Sequence, residues 1–309
     1  MQNPVLDGEQ ARLPTELFIC IASFVDQKRD LSTLCQVSKT FMEICTPLLY
    51  SFVHIGTSEH TVETHFGLYE VLQRPSISHA VVELYVEFDN SSLCAEMRNP
   101  KNYGSCDCAS HDSALGDVIR SLQNLQRLTI LCNLCYECHG HEYLFELNSP
   151  ALWLFKFRCY GSSAFGSDAD DRSLLIAPFM SRIKALSLES WPTGYPMDWY
   201  EAVPESLLRE TNALSDLHTL THYDSQFFDF ILSRCPVQRL WLVKGGRATA
   251  KAAIRRSPGR LTHLFAPDLI YWLPREMGLG IEPYSHLRFI GTIGGTCRDV
   301  SIMKLVITR

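Results

Sequence analysis

The chain has 309 residues, enough at roughly 150 per domain for two domains or one elongated repeat. Hydrophobic residues make up 46% and charged residues 20%, the balance of a packed globular protein and not of a disordered chain. With 28 basic against 34 acidic residues the net charge is −6, so composition offers no electrostatic footprint for a nucleic-acid backbone or an anionic membrane.

The opening segment MQNPVLDGEQARLP has neither a basic nor an apolar stretch of the kind a secretory signal needs. No run reaches the roughly 20 apolar residues of a membrane span. The expectation is a cytosolic or nuclear protein with reduced thiols, whose 12 cysteines are small buried hydrophobes, metal ligands or a nucleophile before they are disulfides. Residues 1–11 read as a flexible N-terminus, 12–56 as a first module and 57–309 as a second.

Helical patterning is clearest in the first module. After Leu13-Pro14, Thr15 and Glu16 stand where a helix start takes a capping oxygen and an early carboxylate. Leu17, Ile21 and Phe24/Val25 follow on one face. Asp26–Arg29 is a polar break, after which Asp30 is placed to cap a second helix carrying Leu31, Leu34, Cys35 and Val37. A third run with Phe41, Ile44 and Cys45 is expected to stop before Pro47, because proline disfavours helix in its predecessor. Alternation over Phe52-Val53-His54-Ile55 predicts a strand. Three short helices enclose little core, so their apolar surface must be covered by the rest of the chain or by another protein.

The segments LPTELFICIASFV, DLSTLCQVSKTF and PLLY, within about residues 12–50, resemble the F-box family, with Phe41 where that family often has Trp. The resemblance implies a three-helix module that docks on the small Skp-family linker subunit, and through it on a cullin, in SCF-type cullin-RING ubiquitin ligases. It makes Leu13, Pro14, Leu17, Ile21, Leu31, Leu34, Val37 and Phe41 the linker-binding candidates, although each is also a plausible internal side chain.

Beyond residue 56 a Leu-x-x-Leu-x-Leu-like hexad recurs, beginning at Val81, Leu125, Leu152, Ile183, Leu217, Val237, Leu261 and, more weakly, Leu287, with Ile302 opening a last copy. Most steps fall in or near the roughly 20–29-residue period of leucine-rich repeats. Helical runs lie between the hexads: 113–122, 174–180, 204–214, 226–232 and 249–256. Short strands alternating with short helices describe a solenoid in which neighbours supply the core. The predicted class is therefore α/β, a three-helix F-box followed by an irregular leucine-rich-repeat solenoid, with a layered α/β domain as the alternative.

In such an array the first, fourth and sixth hexad positions face inward, and the residues flanking the fourth line the open side. Of those, Tyr223, Arg239, Trp241, His263 and Phe265 come from three consecutive strands and belong to types that carry binding energy at interfaces. They are the target-binding candidates; the alternative is that Trp241 and Phe265 pack beneath a loop or cap.

Residues 89–112 and 161–173 read as loops, the second with Asp168, Asp170 and Asp171 but without EF-hand spacing. Cys106, Cys108, Cys135 and Cys138 have the ligand types for one structural zinc. Cys-x-Cys is an unusual half-site and Cys132 continues a strand, so no metal and no cofactor are assigned. No nucleophile elbow, phosphate-binding loop or zinc-protease motif occurs. The expectation is a non-catalytic adaptor with a protein target, no nucleic acid and no membrane. The alternative is a stand-alone repeat scaffold capped by its own first helices.

Overall fold

The computed structural model describes residues 14–56, 62–89, 108–133, 144, 147–160, 178–189, 214–222, 231–232, 234–243, 247–257, 260–266, 286–293 and 300–304. Three helices come first: α1 (Thr15–Ser23), α2 (Lys28–Val37) and α3 (Lys39–Tyr50). α1 is apolar on two sides. Phe18, Ala22 and Val25, at i, i+4 and i+7, turn toward the other helices, where Ala22 joins Leu31 and Cys45 as the fully buried core of the trio. Phe18 meets Phe41 edge-on at 5.0 Å. Leu17, Ile21 and Phe24, at the same spacing one residue earlier, are exposed.

Two details of this module differ from the sequence expectation. Pro14, and not Thr15, precedes α1, without a side-chain cap, and α2 begins two residues before Asp30. α3 runs through Pro47 instead of stopping before it. Proline removes one backbone donor, but Cys45 and Leu49, on either side of it, are held against the trio's core and carry the helix across. Ser38, unremarked in the sequence, caps α3 by accepting from the Phe41 N–H at 3.2 Å.

Among the described residues ten strands form one sheet in chain order: β1 (Phe52–Gly56), β2 (Glu83–Asp89), β3 (Arg127–Asn133), β4 (Leu154–Tyr160), β5 (Ala185–Glu189), β6 (Thr219–His222), β7 (Arg239–Leu242), β8 (His263–Ala266), β9 (Phe289–Ile293) and β10 (Val300–Lys304). β1 to β9 are parallel; β10 pairs antiparallel with β9. The copy expected at Ile302 is therefore a returning edge strand and not another parallel unit. Residues 52–56, grouped by the sequence with the helical module, are the first strand of the sheet.

The hexads are these strands in one register. Val53, Leu84, Leu128, Phe155, Leu186, Leu220, Leu240, Leu264 and Ile290 are successive partners and form a single column, every member buried. A second regularity lies in the backbone. The carbonyls of Ser51, Val82, Gln126, Trp153, Lys184, His218, Gln238 and Thr262 each accept two consecutive N–H groups from the next unit, at 2.8–3.2 Å. Parallel neighbours need crossovers. These include α4 (Val62–Leu72) with the single turn α5 (Pro75–Ser78), α6 (Cys108–Ser121), a 3₁₀ segment at Pro178–Arg182, and α7 (Arg247–Arg256).

Tyr69 and Leu72 of α4, Leu115, Val118 and Ile119 of α6, and Ala250, Ala253 and Ile254 of α7 bury against the inward column in one continuous core. α4 and α5 were not foreseen, and α6 starts at Cys108, inside the segment read as a loop. The helices cover one face of the sheet, and the opposite face carries the residues that flank the central column.

Candidate interaction surfaces

The first surface is the helical trio. Its core holds three fully buried side chains, too few to consume the apolar residues that the sequence supplies. Leu17, Ile19, Ile21, Phe24, Val37, Met42, Leu48 and Phe52 are the exposed large hydrophobics among the described residues, and all lie between positions 17 and 52. Phe24 is the extreme, at 84% exposure. Of the linker-binding candidates, Pro14, Leu17, Ile21 and Val37 are exposed. Leu31, at 5% exposure, is core and cannot be a contact, because its side chain packs with Ala22 and Cys45. Leu34 and Phe41 are half-buried against that core. Leu13 lies outside the described residues. Ile19, Phe24, Met42, Leu48 and Phe52 are exposed but were not among the candidates; for all but Phe52, which opens β1, the signal was present in apolar content that exceeds one inward stripe per helix.

The trio is tied to the sheet without a linker. Only Ser51 separates α3 from β1, and the Lys28 ammonium donates to the Phe52 carbonyl at 2.6 Å while lying 5.3 Å from the centre of the Phe52 ring. The buried thiol of Cys45 is pushed above its ordinary pKa by burial first and by neighbouring Cys35 second, so it packs as a small hydrophobe.

The second surface is the open face of the sheet at β7–β9. Register aligns Arg239 with His263 and Phe289, and Trp241 with Phe265 and Gly291. Trp241 and Phe265 stack at 4.1 Å, and His263 and Phe289 at 4.4 Å. Phe265 is only 5% exposed, which does not fit its reading as an open contact residue; Trp241 and His263 are half-buried and Arg239 is exposed. Tyr223 lies outside the described residues.

At the leading ends of these strands is an open cleft of about 590 Å³ lined by Pro236, Gln238, Arg239, Arg260, Thr262, His263, Arg288 and Phe289. Burial, then the guanidinium charges of Arg239 and Arg288, hold the His263 imidazole below its ordinary pKa. Its Nδ1 lies 2.8 Å from the Thr262 hydroxyl. Behind the cleft, burial pushes the Cys235 thiol up to about 11 against the opposing pull of Arg234 and Arg260. The sequence reading missed Arg260, Arg288 and Phe289. Phe289 occupies, in the eighth hexad, the same flanking position as Arg239 and His263, so extending the rule by one unit would have found it.

The cysteines considered for zinc fall outside the described residues, apart from the backbone of Cys108 at the start of α6. No helix among the described residues is long and apolar enough to cross a membrane.

Comparison with known families matches residues 10–55 to the F-box-like family. The matched segment contains the whole helical trio and β1 up to Ile55, so the likeness to the F-box-like family is confined to this first module. No curated protein matches the chain.

Proposed function

We propose that the protein is a substrate-recognition adaptor of an SCF-type cullin-RING ubiquitin ligase. The outward sides of α1–α3 dock on the Skp-family linker, and the open face of the sheet holds a target protein. The observation that carries this reading is that, among the described residues, the exposed large hydrophobics all lie at positions 17–52, inside the F-box-like match. Water-exposed apolar side chains gathered in one small module are the mark of a surface awaiting a partner.

We read residues beyond the trio as an irregular leucine-rich-repeat solenoid. The single buried column, one residue from each of the parallel strands β1 to β9, and the carbonyl that receives two N–H groups in unit after unit support this reading, as does the strand order. The adaptor itself performs no covalent chemistry. It raises the effective concentration of target lysines near the charged conjugating enzyme.

Co-expression with the linker followed by gel filtration tests the proposal. The wild type is expected to elute as a 1:1 complex, and Leu17→Asp combined with Val37→Asp is expected to abolish it. Both positions are exposed, so the substitutions leave the core intact. A wild type that elutes alone, or a double variant that still associates, would favour the stand-alone scaffold.

A further inference from the structure

We infer that Cys35 and Cys45 form an oxidation site in the helical module: a hydroperoxide converts the two thiols to a reversible disulfide that ties α2 to α3. The inference concerns the module's own chemistry and stands whether or not the module docks on a linker.

Helix geometry brings the pair together. Leu31 and Cys35 are four residues apart on α2 and therefore share one face, a turn from each other. Leu31 seals against Cys45 of α3 and Ala22 of α1, and Cys35 packs on the edge of the same cluster. The two thiols are hydrogen-bonding neighbours there: burial first, then the charge of Cys35 and a hydrogen bond with it, hold the Cys45 thiol above its ordinary pKa. Only Ser38 separates the two helices, so the loop that the bond closes is short. Cys20, Cys35, Cys45 and Cys235 are the free cysteines among the described residues. Cys20 is exposed on α1 and Cys235 belongs to the core beneath the sheet, which leaves Cys35 and Cys45 as the two that share a cluster.

Access divides the chemistry between them. Cys35 is half-buried and within reach of a small oxidant, whereas Cys45 is 0% exposed and meets its neighbour instead of solvent. In the first step the Cys35 thiolate attacks one peroxide oxygen. The O–O bond breaks, Cys35 becomes a sulfenic acid, and the other oxygen leaves and takes up a proton. In the second step the Cys45 sulfur gives up its proton and attacks the Cys35 sulfur. The S–S bond forms, the S–O bond breaks, and the departing hydroxide takes that proton and leaves as water. Two thiols and one hydroperoxide yield one disulfide, one water and one alcohol, or a second water when the oxidant is hydrogen peroxide. Two electrons pass from the sulfurs to the peroxide oxygens. A dithiol reverses the reaction by exchange. The trio has three fully buried side chains, and a covalent tie holds so small a core by restricting its unfolded chain. A reversible bond is also the kind of disulfide that a reducing compartment permits.

The test exposes the full chain to hydrogen peroxide, alkylates the remaining thiols under denaturing conditions and maps tryptic peptides without reduction. Cleavage at Lys39 falls between the two cysteines, so each lies on its own peptide. The wild type is expected to yield the Cys35–Cys45 linked pair, and dithiothreitol is expected to restore both thiols. Cys20→Ser should give the same pair. Cys45→Ala, which keeps a small side chain in the core, should accumulate a Cys35 sulfenic acid trapped by dimedone. In Cys35→Ser, Cys45 should stay unoxidised. Thermal unfolding checks that each variant is folded. Hydrogen exchange in α2 and α3 of the oxidised wild type is expected to slow by roughly ten- to a hundredfold and to recover on reduction.

Alkylated Cys35 and Cys45 in a wild type whose Cys20 has been oxidised overturn the proposal, as does Cys35 linked to any other cysteine. Equal trapping by dimedone in the wild type and Cys45→Ala overturns it by removing Cys45 from the second step. A linked pair with unchanged exchange in both helices overturns the claim that the bond ties them.

Discussion

His263 shows how a single side chain on the open face is set by its neighbours. Its imidazole is held below the ordinary value by burial and by Arg239 and Arg288, so the folded state takes up its proton only at a lower pH than the unfolded chain does. Above the ordinary histidine value of about 6.5 both states are neutral and the shift has no effect. As pH falls below it, the unfolded chain binds the proton first and the folded state loses stability. Urea titrations at descending pH are therefore expected to show a smaller loss of stability for His263→Gln than for the wild type below that value. Cysteines give a second prediction at this scale. Cys20 is exposed, while the Cys235 thiol is buried with a pKa of about 11, so iodoacetamide at neutral pH is expected to modify Cys20 well ahead of Cys235, read by peptide-resolved mass spectrometry. Inward residues were legible in the sequence because period-two alternation states which side of a strand must be dry. Outward residues were legible only by position, since Phe265 is buried with its ring stacked on one from the adjacent strand and Leu31 is buried among helices on either side.

Secondary elements differ in how much of their stability is local. α3 depends on its Ser38 cap, and Ser38→Ala is expected to cost about 1 kcal/mol, measured by chemical denaturation. Strand β4 depends on packing instead. Phe155 is fully buried, 5.2 Å from the Phe179 ring centre, and Phe155→Ala is expected to cost about 3–5 kcal/mol in the same assay. The sequence revealed the strands through their repeated spacing and revealed α1–α3 through one-sided apolar runs. α4 escaped because Gly67 and the β-branched Val62 and Thr64 weaken its helical propensity, leaving Phe66, Tyr69 and Leu72 to secure it by burial. The end of α3 was misplaced for the same reason: tertiary contacts around Pro47 outweighed a local rule.

The molecule as a whole joins a helical module with exposed apolar faces to a sheet with one covered face. Anything that binds only the folded state raises its apparent stability by mass action. On the proposed function, added Skp-family linker is expected to raise the Tm of the wild type in a concentration-dependent way. It should leave the Tm of the Leu17→Asp, Val37→Asp variant unchanged, as read by scanning fluorimetry. The excess of apolar residues in the first fifty positions was legible in the sequence; which of them face outward was not, because α1 carries two apolar stripes and only assembly of the trio decides which is sealed. The absence of a hinge between α3 and β1 has a geometric consequence. Strands in a sheet are spaced by about 4.8 Å, so the eight steps from β1 to β9 carry the arginine-lined cleft roughly 40 Å along the sheet from the helical module. On the proposed function the sheet is a gauge block: cargo held at its far end would be presented at a reach counted in whole strands. Adding or removing one unit would shift that reach by about 5 Å, enough to bring a different lysine of the cargo to the same point in space.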